Sequence, residues 1–198
     1  NSSSSSLAMT NVSANASGGS SNYGVLNWSS SPAMTNVSAN ASGGISDNIG
    51  VYNYSSSSPV MTNVSASASG GSNNYGVFNA SSSPTMTNVT ASASGGTNNY
   101  GVRNYQSSPT INNSVISASG GSGNYGIYNY ASGGSYTVLV NNSQISGSTN
   151  TIYNDAEFVT RIGASQLSGG AVSLGGGTVS CVGVYDENYA SAGYTTCP

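Results

Sequence analysis

The chain has 198 residues, of which only two arginines and five acids are charged, with no lysine or histidine and a net charge of −3. So thin a charge leaves no basic patch for phosphates, which argues against nucleic-acid binding. No run of 18 apolar residues occurs, so no membrane-spanning helix is expected.

Ser, Gly, Asn and Thr dominate, a bias that suggests a disordered low-complexity segment. Disorder, however, goes with high charge and few aromatic or β-branched residues. Here 14 tyrosines and regularly recurring Val and Met point to a folded chain.

The organising feature is a repeat. Pro32, Pro59, Pro84 and Pro109 open successive copies, spaced by 25 residues or by 27 for the copy that begins at Pro32. Such a period indicates a solenoid, propeller or array. Asn1–Leu7 matches the end of a linker, since SSSSSLAMTNV parallels SSSPAMTNV at Ser29–Val37. The chain therefore starts in phase with its repeat and without a capping segment. A start on Asn1 rather than Met suggests a processed product.

Within a copy, MTNVTAS and NYGVRNY read as short strands between SSP and SGG turns. No 3.6-residue apolar period supports a helix. Two or three short strands in 22–27 residues suit one coil of a parallel β-helix, each coil about 4.8 Å above the last. Past Tyr130 the repeat decays: NNSVIS at Asn112–Ser117 returns as NNSQIS at Asn141–Ser146, and SQLSGG follows from Ser165. About seven coils are expected, with a solenoid over 1–177 and a capping tail over 178–198.

Comparison of the copies assigns the faces. Strand alternation sends Tyr100, Val102 and Asn104 inward. The equivalents of Val102 are Val25, Val51, Val77, Ile127 and Ile152, and those of Asn104 are Asn27, Asn53, Asn79, Asn129 and Asn154. A second asparagine column, Asn11, Asn36, Asn63, Asn88, Asn113 and Asn142, is assigned to the first strand, also facing inward. Stacked amides of this kind hydrogen-bond along the column. Asn36, Asn63 and Asn88 also open N-x-S/T sequons, but an inward side chain carries no glycan, so ladders are expected.

The opposite face varies. One position reads Leu26, Tyr52, Phe78, Arg103, Tyr128 and Tyr153; the next outward one reads Trp28, Tyr54, Ala80, Tyr105, Tyr130 and Asp155. The aromatic members, Trp28, Tyr52, Tyr54, Phe78, Tyr105, Tyr128, Tyr130 and Tyr153, form the candidate outward interface, for sugar rings or a neighbouring rod.

Chemistry has little to work with. Asp47 stands alone, and Asp155, Glu157 and Arg161 share one irregular connection, where a structural charge pair is expected. Without histidine the usual general base is missing, and no enzyme activity, metal or cofactor is expected. Cys181 and Cys197 are expected to form a disulfide, worth roughly 3 kcal/mol, which implies an oxidising, extracellular setting.

The coil pattern NNSQISGSTNTIYN, the following SQLSGG and the tail's CVGVYD resemble secreted bacterial parallel β-helix proteins of the pectate-lyase-like superfamily. The resemblance implies an all-β, single-stranded, right-handed parallel β-helix in an extracellular setting. Pectate lyases carry a calcium-binding aspartate cluster and a catalytic arginine; no residue here matches them. The expectation is a structural subunit of a head-to-tail filament, with itself as partner. The alternative is a surface adhesin or phage-type fibre module holding glycans on the aromatic stripe.

Overall fold

The computed structural model describes residues 1–2, 5–191 and 197. Every regular element among them is a strand, and three parallel sheets of eight, seven and seven strands run the length of the molecule. Seven strands stacked one per coil lie six steps apart, so the solenoid makes about six turns.

One coil shows how the sequence closes on itself. Thr85–Thr87 belongs to the first sheet, Thr90–Ser94 to the second and Asn98–Tyr105 to the third. Each strand pairs in register with the copies before and after it: Met86 lies between Met61 and Ile111, Ala91 between Ala66 and Ile116, and Val102 between Val77 and Ile127. These side chains are fully buried and fill the interior between the sheets. Pleat alternation turns the residues between them to the outside.

The stretch expected as one strand, MTNVTAS, is broken in two by Asn88, whose φ is +54°. Asn11, Asn36, Asn63, Asn113 and Asn142 share this left-handed conformation, with φ between 47° and 56°. Asparagine tolerates it better than other non-glycine residues. The column therefore marks the corner between the first and second sheets, and its side chains are exposed rather than inward. The expectation of a second core ladder is corrected on this point. A corner residue leaves the pleat, so alternation does not predict its direction.

A second corner lies inside the third-sheet strand. Asn99 and Val102 are both buried although three residues apart, while Tyr100 faces outward. The change of phase falls at Gly101. Its column, with Gly24, Gly50, Gly76 and Gly126, has no room for a side chain. A Cβ on Gly76 would stand 2.6 Å from the carbonyl oxygen of Gly101 and 2.7 Å from the nitrogen of Ser92. The third sheet here touches the backbone of the second, and glycine permits the approach.

At the C-terminal end, Thr178–Val182 is the eighth strand of the first sheet, paired with Phe158–Gly163. Tyr185 then bridges Gln166, extending the second sheet by one step. Cys181 and Cys197 are disulfide-bonded, with Cα atoms 5.8 Å apart.

Gly76→Ala is expected to destabilise by about 1–3 kcal/mol, since a methyl is forced against backbone. Ser92→Ala, on the outward face of the second sheet, is expected to stay within about 0.5 kcal/mol. Urea denaturation of the two variants measures the difference; equal midpoints would mean that the sheets can separate at the glycine column.

Candidate functional site

Three columns of side-chain amides run along the rod. The innermost joins Asn27, Asn53, Asn79, Asn104, Asn129 and Asn154, each Nδ2 donating to the next Oδ1 at 2.6–2.9 Å. All six are completely buried. The column ends in defined partners, because Asn154 donates to the Thr178 carbonyl at 2.7 Å and accepts from the Thr160 hydroxyl at 2.8 Å.

The second column was not singled out in the sequence. Asn22, Asn48, Asn74, Asn99 and Asn124 are buried and linked rung to rung at 2.9–3.2 Å. Each Oδ1 from Asn48 onward also accepts the N–H of a turn glycine: Gly44, Gly71, Gly96 and Gly121. These amides tie the SGG turn to the third sheet. The signal was available, since asparagine recurs at this position in every full copy, but assigning Tyr100 inward sent its neighbour Asn99 outward.

The third column is the exposed corner. Asn88 donates to Asn63, Asn63 to Asn36 and Asn36 to Asn11, all at 3.0–3.1 Å, and Asn142 donates to Asn113. The sequons at Asn36, Asn63 and Asn88 thus lie on the surface, so burial does not protect them from modification. Their amide nitrogens are instead engaged with the neighbouring rung.

Outside the innermost ladder lies the aromatic face. Tyr23, Ile49, Tyr75, Tyr100 and Tyr125 form one file, and Leu26, Tyr52, Phe78, Arg103, Tyr128 and Tyr153 the file beside it. The files interlock: Tyr52 stacks on Phe78 at 4.9 Å, Phe78 on Tyr75 at 5.2 Å, and Tyr75 on Tyr100 at 5.1 Å. Tyr128 stacks on Tyr153 at 4.7 Å and meets Tyr125 edge-on at 5.0 Å. These separations lie in the range of favourable aromatic pairs. The outward face is therefore a second packed layer rather than a freely variable surface, and Tyr75 is only 6% exposed.

Arg103 sits inside that layer. Its guanidinium carbon lies 5.1–5.9 Å from the ring centres of Phe78, Tyr100, Tyr75 and Tyr128, and one nitrogen donates to the Tyr75 hydroxyl at 3.1 Å. A cation within about 6 Å of ring faces is held by their quadrupoles. Burial pushes the phenols of Tyr52, Tyr75 and Tyr100 up, with Arg103 pulling the other way. Tyr128 is pushed up to about 12, first by burial and then by Tyr153 and Tyr100.

A third file borders the face and is more open. Trp28 is 52% exposed beside Tyr54, their rings 6.3 Å apart, and Tyr105 stacks on Tyr130 at 5.8 Å. Ala80 separates the two pairs. Of the eight residues expected on the outward interface, Trp28, Tyr54 and Tyr130 offer substantial exposed area, while Tyr52, Phe78, Tyr105, Tyr128 and Tyr153 are half-buried.

The acidic groups do not gather into a cleft here. The Asp155 carboxylate turns back onto its own turn, accepting from the Ala156 N–H at 3.0 Å. Arg161 lines a shallow depression on the outside of the first sheet with Leu139 and Val182. Among the described residues no histidine, cysteine, aspartate or glutamate cluster of three or more forms.

No protein-family model matches the chain, and no curated protein matches it. Among solved structures, a siphovirus 9NA tailspike receptor binding domain is similar over 93% of this chain, at 11% identity and a TM-score of 0.29. The chain spans 50% of that structure's length. A likeness at this identity and score carries no functional weight. The stacked-coil fold implied by the pectate-lyase-like resemblance is present, but no match shows membership of that superfamily.

Two measurements check these assignments. Asn79→Ala removes two buried hydrogen bonds and strands Asn53 Nδ2 and Asn104 Oδ1, an expected loss of about 2–6 kcal/mol at 1–3 kcal/mol per unpaired group. Asn88→Gly, which keeps the left-handed corner, is expected to cost less than about 1 kcal/mol. Comparable urea midpoints would contradict the buried-versus-corner distinction. The raised tyrosines also set a pH dependence. Their neutral forms are favoured by the fold, so this contribution is complete below the unfolded phenol value of about 10. It is lost as pH rises toward about 12, the value for Tyr128. Thermal melts are expected to fall across that window, alongside a late-ionising phenolate band in the ultraviolet.

Proposed function

We propose that this chain is a non-enzymatic rod module of an extracellular fibre, lengthened by stacking one solenoid on the next. The observation that carries this reading is strand addition at Asn1–Ser2. Ser2 bridges Trp28 in parallel, the Trp28 N–H donates to the Asn1 carbonyl at 2.9 Å, and the Asn1 amino group donates to the Leu26 carbonyl at 3.0 Å. The Asn1 side chain donates to Asn27 Oδ1 at 3.4 Å, adding a member to the buried ladder. A segment outside the first complete strand thus extends both sheet and ladder in register.

On this reading a strand of another copy takes the place along Trp28 that Asn1–Ser2 holds here. Met9, Val12 and Ala14 are only partly buried, whereas their equivalents Met34, Val37 and Ala39 one coil later are at most 2% exposed. One more coil would bury them. A contact between unlike ends does not close on itself and yields filaments. The disulfide favours the oxidising exterior. The absence of histidine and the dispersal of the acids along the chain weigh against acid–base catalysis.

A second reading is favoured by one observation, the exposure of Trp28, Tyr54 and Tyr130 along the bordering file. Aromatic surface at regular spacing on a stiff support suits the stacking of sugar rings, as an adhesin would use. The two readings need not exclude each other, but they respond differently to mutation.

Negative-stain electron microscopy of the purified chain is expected to show filaments that lengthen with concentration, with Trp28→Ala/Tyr54→Ala leaving them intact. Discrete monomers at high concentration would overturn the filament reading. Saturable retention on a glycan array that Trp28→Ala/Tyr54→Ala abolishes would establish the adhesin reading.

A further inference from the structure

Three asparagines of the innermost ladder stand at the head of acceptor sequences for N-linked glycans. Asn27-Trp28-Ser29, Asn53-Tyr54-Ser55 and Asn79-Ala80-Ser81 each match N-x-S, a pattern that ordinarily marks a surface loop of a secreted protein. Here all three asparagines are completely buried. Each Nδ2 donates to the next Oδ1 of the ladder at 2.9 Å: Asn27 to Asn53, Asn53 to Asn79 and Asn79 to Asn104. The same nitrogens also face the interior, where Met34 Sδ lies 3.5 Å from Asn27 and Met61 Sδ 3.9 Å from Asn53. Both methionines are fully buried.

A glycan attaches at that same nitrogen. Transfer from a lipid-linked pyrophosphate forms the bond from Nδ2 to the sugar C1, breaks the C1–O bond to the pyrophosphate and releases one amide proton. On the ladder the sugar would have to displace either the neighbouring amide or the methionine core, and a packed interior holds no space of that size. Each amide group left unpaired costs about 1–3 kcal/mol in addition. The corner sequons differ. Asn36, Asn63 and Asn88 are exposed and use one amide hydrogen along their column, so the other can be replaced. A transferase that reads N-x-S/T in the extended chain, before folding, has no means of telling the two columns apart.

We propose that Asn27, Asn53 and Asn79 are glycan acceptors in the unfolded chain whose modification blocks the fold, so that the rod matures where no such transferase reaches it before folding. The disulfide narrows the route further. Cys181–Cys197 calls for an oxidising compartment, and the endoplasmic reticulum lumen, the bacterial periplasm and the cell exterior are all oxidising. The buried sequons set aside those of them in which N-x-S/T is glycosylated during synthesis. Glycan and ladder are alternatives at one atom, and the fold requires the ladder. The proposal concerns how the rod is made and is independent of the fibre and adhesin readings, both of which need it folded.

The test expresses the full chain through the secretory pathway of cultured eukaryotic cells, with and without tunicamycin, which stops formation of the lipid-linked sugar donor. Chain exported to a bacterial periplasm supplies the unmodified standard for protease resistance. Mass spectrometry maps glycans on the protease-resistant and protease-sensitive fractions. Glycans at Asn27, Asn53 and Asn79 are expected in the sensitive fraction and in no resistant rod. The variant Ser29→Gly/Ser55→Gly/Ser81→Gly destroys the three sequons, keeps every ladder asparagine and suits the positive φ of 50–60° at these serines. It is expected to raise the yield of resistant rod several-fold, with the gain vanishing under tunicamycin. A glycan at any of the three sites in resistant rod, bare sites in both fractions, or a gain that is absent or persists under tunicamycin would overturn the proposal. Because the mapping uses the parent chain, it decides the matter even if the variant folds poorly.

Discussion

A primary amide buried in an apolar interior needs both a donor and an acceptor partner, and in this molecule the asparagines inside the two inner ladders find them one coil away. That requirement governs much of the rest. A slip of one residue between coils would remove an amide from its column and leave its neighbours unpaired, at about 1–3 kcal/mol for each stranded group. Backbone pairing alone tolerates such slips, because parallel strands present the same groups at every step. The ladder of Asn27 to Asn154 therefore sets the register, and the register in turn stacks Val on Val, glycine on glycine and ring on ring.

The consequence is a rod whose surface is laid out in files of equivalent side chains. The aromatic layer over the third sheet looks at first like an exposed patch awaiting a ligand. Its rings instead cover one another at 4.7–5.4 Å along the main files, with Arg103 inserted among four of them. Most of that face is thus internal packing displaced to the outside of the sheet. What stays exposed is the bordering file, from Trp28 and Tyr54 to Tyr130.

The ends are also where the repeat changes its chemistry. Toward the N-terminus, Asn1 joins the ladder as a further member. Toward the C-terminus the ladder stops, received by Thr160 and the Thr178 carbonyl instead of another amide. There the coils shorten, a threonine replaces the column glycine, the acids appear and the disulfide forms. A one-dimensional stack needs such a change wherever its growth is to be limited or controlled, since every interior coil is a template for the next.

Much of this was legible in the chain itself. A 25-residue period, β-branched residues at the Val102 position and invariant asparagine at the Asn104 position establish stacked coils and an amide ladder, because identical residues at a fixed period meet when the coils stack. The disulfide followed from two cysteines with no other partner. What only the tertiary structure decided lies at the corners. Asn88 left the strand because its φ is positive, a backbone state that residue type permits but does not require. The phase change at Gly101 moved Tyr100 outward and Asn99 inward, because the second sheet presses on the glycine column and bends the strand there. Alternation holds along a straight strand, so a sequence reading carries each face correctly as far as the next bend, and the contact that makes the bend lies on another part of the chain.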